Sequence, residues 1–177
     1  LKSEFELLKR AKKGDESAFL DLYRRHQGAV FRFALHMCGQ VETAEEIVQE
    51  VFLALLSANG FDAASGSLQG YLIGAARNMI RSRARHAWRF VEAEPATPGG
   101  ELLDALSKEQ ELHDLRLAIL SLPPNYREVV ALCDMEGMDY AQAARHLDCP
   151  LGTVRSRLHR ARAILAAKMR KRVGCTA

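Results

Sequence analysis

Residues 139–165 read DYAQAARHLDCPLGTVRSRLHRARAIL, and the fold turns on this stretch. Asp139 stands three residues before Gln142 and directly ahead of Tyr140-Ala141, the spacing at which two side chains cap a helix start reciprocally. The spacing predicts a helix over 139–147 that buries Ala141, Ala144 and Leu147. Asp148-Cys149-Pro150-Leu151-Gly152 then breaks it, because Pro150 has no N–H to continue a helical ladder. Thr153 is expected to cap a second helix. Its apolar side is Val154, Leu158, Ala161 and Leu165, which leaves Arg155, Ser156, Arg157, His159, Arg160 and Arg162 outside. Two short helices joined by a tight turn, the second one basic, describe a helix-turn-helix that reads DNA in the major groove. Arginine suits guanine there, since its planar fork matches the O6/N7 acceptor pair. An ordinary helical hairpin with a basic face is the plainer alternative.

The rest of the chain agrees with helices. Of 177 residues, Ala and Leu supply 26 and 24, against 18 for Val, Ile and Thr together, and β-branched residues are the ones that favour strands. The net charge of +3 hides a block pattern. Residues 42–76 carry five acids and no Lys or Arg, and residues 77–91 carry five arginines and no acid. Residues 92–111 carry six acids and one lysine, with Pro95, Pro98, Gly99 and Gly100 among them. From 151 onward there are eight Lys or Arg and no acid. Two basic surfaces flanking an acidic Pro/Gly stretch predict an all-α chain of two small helical domains, 1–91 and 112–177, joined by a flexible acidic linker at 92–111. A helical onset is possible at the far end of that linker, and a long surface loop within one domain is the competing picture.

In the first half, Ala44, Ile47, Val48, Val51, Phe52, Leu55 and Leu56 recur at three- and four-residue steps, with Glu42, Glu45, Glu46, Gln49 and Glu50 off that stripe. This predicts an amphipathic helix over 42–58 with an acidic outer face. Two earlier helical segments, about 16–26 and 29–38, offer it Phe19, Leu22, Tyr23, Phe31, Ala34 and Leu35 as partners. Residues 61–67 read as a turn-rich loop. A helix from Leu68 to about His86 follows, with Arg77, Arg81 and Arg85 four apart along it. Such a stripe suits a phosphate backbone, although a solvated charged face has the same pattern.

Several function classes are disfavoured. The longest uninterrupted apolar run, Val51–Leu56, is six residues, against the ~20 of a spanning helix, so no membrane insertion is expected. The scattered Cys38, Cys133, Cys149 and Cys175 fit reduced thiols and a cytoplasmic location better than a disulfide framework. No Glu-x-x-His pair accompanies the glutamates of 42–50, and His146, Cys149 and Cys133 make no closed set of four ligands, so neither metal nor cofactor is expected. With no nucleophile–base pairing or phosphate loop in sight, a non-enzyme is expected.

Ala44-Glu45-Glu46-Ile47-Val48-Gln49-Glu50-Val51-Phe52 resembles the core-polymerase-binding helix of bacterial RNA polymerase sigma factors. Gly66-Ser67-Leu68, Tyr71-Leu72 and Ala75-Ala76-Arg77-Asn78 resemble the promoter-melting segment that follows it in that family. Leu122-Pro123-Pro124, Arg127-Glu128-Val129-Val130 and the run Pro150 to Arg162 resemble the family's −35-reading domain. A chain of only these two domains is similar to the extracytoplasmic-function (ECF) subfamily.

The resemblance implies roles at matching positions. Val48, Gln49, Glu50 and Phe52 would dock on the clamp helices of the polymerase beta-prime subunit, the chain also meeting the beta subunit. Asn78 would capture a flipped −10 base, the loop 61–68 would form the pocket, and Arg77, Arg81, Arg83 and Arg85 would line the DNA path. Arg155, Ser156, Arg157, His159 and Arg160 would form the −35 surface. Cys133 stands where relatives often carry a basic, phosphate-contacting residue. The resemblance implies core RNA polymerase, promoter DNA and an anti-sigma factor as partners. A stand-alone helix-turn-helix regulator remains the alternative, one that would need neither the acidic helix nor the Tyr71–Asn78 segment.

Overall fold

The computed structural model describes residues 3–57, 61, 67–90 and 106–173. Among the described residues every regular element is a helix, and the chain divides into two units, Leu1–Ala93 and Glu94–Ala177.

The first unit holds α1 (Glu4–Ala11), α2 (Glu16–Cys38), α3 (Val41–Ser57) and α4 (Leu68–Phe90). α1 starts at Ser3, whose Oγ accepts the Glu6 N–H at 3.2 Å. Gly14, at φ +90°, turns the chain into α2, where Asp15 caps by accepting the Ala18 N–H at 3.1 Å. Gly39 closes α2 in the left-handed conformation at φ +78°, which costs glycine nothing because it has no Cβ.

α2 is one helix of 23 residues, not the two segments that the sequence suggests. Gly28 costs an exposed helix ~1 kcal/mol relative to Ala. His26, Ala29, Val30 and Phe33 around it are all buried, and that packing carries the helix through. α2 is also the hub of the unit, touching α1, α3 and α4. The core is Leu22, Val30 and Phe33 of α2 against Ile47, Val51, Phe52 and Leu55 of α3 and Leu68, Leu72 and Ile73 of α4. Each such side chain contributes ~1.5–3 kcal/mol by leaving water. Phe52 meets Phe19 edge-on at 6.2 Å between ring centroids and Tyr23 at 4.8 Å, an arrangement that suits the ring quadrupoles.

The second unit holds α5 (Leu106–Leu120), α6 (Pro124–Val130), a π-helical turn (Ala131–Met135), α7 (Tyr140–Leu147) and α8 (Leu151–Val173). Pro124 opens α6 where its missing N–H is no loss. Arg127 reaches back from α6 and donates to the Leu120 and Leu122 carbonyls at the end of α5, the second at 3.1 Å. The Glu136 N–H closes the π turn on the Ala131 carbonyl at 3.0 Å. α8 is the hub here, packing on α5, α6 and α7 through Val154, Leu158 and Ala161.

Two local expectations are corrected. α7 buries Ala143 and Leu147, one turn apart, while Ala141 is exposed and Ala144 half-buried, because the neighbours that set its inner face lie elsewhere in the sequence. Thr153 is not the cap of α8, which begins two residues earlier. The Thr153 N–H bonds to the Pro150 carbonyl at 2.8 Å, so proline stands at the entry. α5 starts at Leu106, at the far end of the stretch 92–111, where the sequence allows a helical onset. Residues 92–105 of that stretch and 62–66 of the expected loop lie outside the described residues, as does Cys175.

Candidate functional site

In the second unit the reciprocal cap is present. Asp139 Oδ1 accepts the Gln142 N–H at 2.7 Å, and Gln142 Oε1 accepts the Asp139 N–H at 3.0 Å. α7 closes on Asp148 at φ +50°, a left-handed position that aspartate tolerates better than most side chains. These two ends fix the turn that delivers α8. Along its first turns Arg155, Ser156, His159 and Arg160 are exposed, opposite the buried Val154, Leu158 and Ala161. Ser156 Oγ donates to the Thr153 carbonyl at 3.0 Å, which leaves its lone pairs outward.

Arg157 is half-buried at the edge of this face. Arg162 is held by Asp134 of the π turn, with Nη2 at 2.5 Å from Oδ1 and Nε at 3.2 Å from Oδ2. Hydrogen bonding to Asp134 raises the Arg162 pKa further and ties α8 to the π turn. The four exposed residues form a compact basic surface, and a guanidinium fork there can meet either a guanine edge or a phosphate.

In the first unit the arginine stripe of α4 splits. Asn78, Arg81 and Arg85 are exposed and follow one another by three and four residues, so they share a face. Arg77 does not belong to that face: it is only 9% exposed, next in the chain to the fully buried Ala76. Arg83 lies on another side, against α3. Its Nη2 donates to Glu50 Oε1 at 2.6 Å and its Nη1 to Glu46 Oε2 at 2.9 Å. Those two bonds, Glu50's first, raise the Arg83 pKa.

On α3, Gln49 and Glu50 are exposed, whereas Val48 and Phe52 are buried at 4% and 2%. Apolar side chains at these steps reach the core of their own domain before they reach a partner. Phe52 is enclosed by the Phe19 and Tyr23 rings. Val48 lies at the floor of an open groove between α2 and α3, walled by Tyr23, Gln27, Gly28 and Phe31 on one side and Glu45 and Gln49 on the other. Tyr23 and Phe31 were expected as apolar partners of α3, but Gln27 and Gly28, and with them the groove, escaped the sequence reading. The signal was the four-residue step Tyr23–Gln27–Phe31, hidden by the break expected near Gly28. Glu46 and Asp134 were missed as arginine partners, since neither pairing is local in sequence.

Among the described residues no group of three or more His, Cys, Asp or Glu is gathered as for a metal ion. Burial, and then the neighbouring Asp134, push the Cys133 thiol up, away from the thiolate that redox or metal chemistry needs.

Two regions of the sequence match known families: residues 22–90 match Sigma-70 region 2 and residues 112–165 match Sigma-70, region 4. The ECF RNA polymerase sigma-E factor of Escherichia coli (strain K12) is 31% identical over 177 residues, which cover 92% of each protein. The chain belongs to the ECF sigma factors. This ECF sigma factor is also 34% identical over 160 residues to the ECF RNA polymerase sigma factor SigE of Mycolicibacterium smegmatis, covering 84% of this chain and 62% of that protein. It therefore spans about three-fifths of that relative's length.

Among solved structures, this ECF sigma factor is similar to CnrH in complex with the cytosolic domain of CnrY, with a TM-score of 0.68 and 26% identity over 91% of this chain and 93% of that one. It is also similar to the sigma factor RpoE in complex with the anti-sigma factor NepR from Bartonella quintana, with a TM-score of 0.69 and 26% identity over 86% and 96% of the two chains. The relatives are transcription initiation factors. No helix among the described residues is long and apolar enough to cross a membrane.

Proposed function

We propose that this chain binds core RNA polymerase, directs it to promoters carrying paired −35 and −10 elements, and promotes melting at −10. The observation that carries this reading is that one chain presents two separate polar surfaces suited to different partners. One is the acidic edge of α3 with the α2–α3 groove beside it, and the other is the basic face of α8 on a doubly capped helix-turn-helix. A regulator acting alone has no use for the first.

The domains in this reading are 1–91, a linker at 92–111, and 112–177. Gln49 and Glu50 meet a basic face of the beta-prime clamp helices, with Val48 at the groove floor and Phe52 as internal support. Asn78 pairs with the edge of an unstacked −10 base, while Arg81 and Arg85 follow the strand. Arg77 supports this surface from within. Arg155, Ser156, His159 and Arg160 read the −35 duplex, with Arg157 at the rim. The acidic stretch 92–111 suits a basic channel. An anti-sigma factor is the expected regulator, as the neighbours CnrH and RpoE were each captured with a protein partner, RpoE's being an anti-sigma factor. The chain works in the cytoplasm and carries out no catalysis of its own.

Run-off transcription with core polymerase and a promoter library tests this reading. Transcripts from templates sharing spaced −35 and −10 elements support it. Duplex binding with neither transcripts nor association with the core would make the chain a stand-alone regulator.

A further inference from the structure

Arg83 stands between the two surfaces of the first unit. It sits on α4, whose outward residues Asn78, Arg81 and Arg85 are assigned to DNA, yet its guanidinium is bound by α3, whose Glu50 is assigned to polymerase. The geometry is that of a strong ligand: two carboxylates one turn apart on α3 take the two terminal nitrogens of one guanidinium, at 2.6 and 2.9 Å. A phosphate group would offer the same guanidinium a similar pair of anionic oxygens. All three side chains stay in contact with water, with Arg83 36%, Glu46 61% and Glu50 50% exposed, so the contact can open without unfolding anything.

We propose that Glu46 and Glu50 act as an internal substitute for nucleic-acid phosphate, a clasp that withholds Arg83 from DNA until the polymerase takes hold of α3. This inference rests on the functional reading above and deepens it by coupling its two surfaces. A cationic group of the polymerase that pairs with Glu50 competes directly with Arg83. The guanidinium, losing one of its two carboxylates, then becomes available to a backbone phosphate along the strand that Arg81 and Arg85 line. Linkage makes the effect reciprocal: DNA that captures Arg83 leaves Glu50 free for the polymerase. Pairs exposed to solvent are weak, so the clasp sets a modest threshold and responds to salt.

The test uses the full chain and a fluorescent single-stranded DNA of random sequence, with anisotropy read over a range of salt. Glu46→Ala removes one arm of the clasp without touching Glu50. The free chain should then bind about threefold tighter. Its salt slope should steepen by up to ~0.7, the value for one additional phosphate neutralised on a single strand. In an Arg83→Ala background the same substitution should change nothing, and with saturating core polymerase the difference between Glu46→Ala and wild type should shrink.

Equal affinity and slope for Glu46→Ala and wild type, with matching thermal unfolding, would overturn the clasp. A gain that persists in the Arg83→Ala background would overturn it too, because it would reflect only the removal of a negative charge. If the chain fails to bind core polymerase, the functional reading falls, but the free-chain comparison still decides whether Arg83 is withheld.

Discussion

Asp15 receives three donors: the Ser17 hydroxyl, the Ala18 N–H and the Arg10 guanidinium. In that order they hold its carboxyl at about 2, below the ordinary 3.8. A folded-state pKa below the unfolded one stabilises the fold at any pH above the unfolded value, and the contribution is lost as pH falls from about 4 toward 2. Asp15→Asn keeps a capping oxygen but does not titrate, so the acid limb of its helicity curve by circular dichroism should be shallower between those values. Identical limbs would remove this role. In the second unit, Arg160→Ala should cost ~1–3 kcal/mol of promoter discrimination if its fork meets a base, read by competition between a selected and a scrambled −35 duplex. A loss equal on both duplexes would make it a phosphate contact instead. Which arginines face outward was only partly legible. The four-residue spacing puts Arg77 in line with Arg81 and Arg85, but its burial depends on how α4 packs, which its neighbours in sequence do not encode.

Elements were legible where their ends are chemically marked. Asp139 and Gln142 announce the start of α7, and both hydrogen bonds are present. Asp139→Ala should lower the stability of the second unit by ~1 kcal/mol in urea denaturation, with binding to a −35 duplex weakened in proportion. An unchanged midpoint would mean that packing alone sets the helix start. Where a mark was ambiguous, packing decided. Gly28 reads as a break and is none, because buried residues on both sides hold α2 together. Pro150 reads as a stop and is equally an entry, so α8 starts at Leu151 and Thr153 falls inside its first turn. The apolar stripe of α3 was correct in phase. Its meaning was harder to see, since Val48 and Phe52 serve the inside of the unit and leave Gln49 and Glu50 to meet the outside.

For the whole molecule, charge and hydrophobic support are separable, and two substitutions show it. Glu50→Lys changes an exposed residue and should leave thermal unfolding near wild type while weakening association with core polymerase in a pull-down. Phe52→Ala empties the space between Phe19 and Tyr23 and should cost ~3–5 kcal/mol, so its association with the polymerase fails along with the fold. Equal unfolding midpoints for the two variants would contradict this division. The block pattern of charge already suggested two basic surfaces and an acidic edge. It could not show that acid and base meet at Arg83, because that contact spans 33 residues to Glu50 and 37 to Glu46.

The π turn at Ala131–Met135 has a consequence for chain length. A turn that closes on the fifth residue back is an α-helix carrying one residue more than its ladder needs. Deleting one residue there would let the backbone relax into ordinary α-helix with its hydrogen bonds intact. The residues that follow would keep their orientation, because the wide turn holds the extra residue within itself; only a residue lost from an ordinary α-helix rotates everything after it by about 100°. A deletion that spares Asp134 would therefore keep its pairing with Arg162 and the aim of the basic face of α8. In this segment the loss of one residue is therefore absorbed by the backbone, whereas the same loss within α8 would be a change of aim.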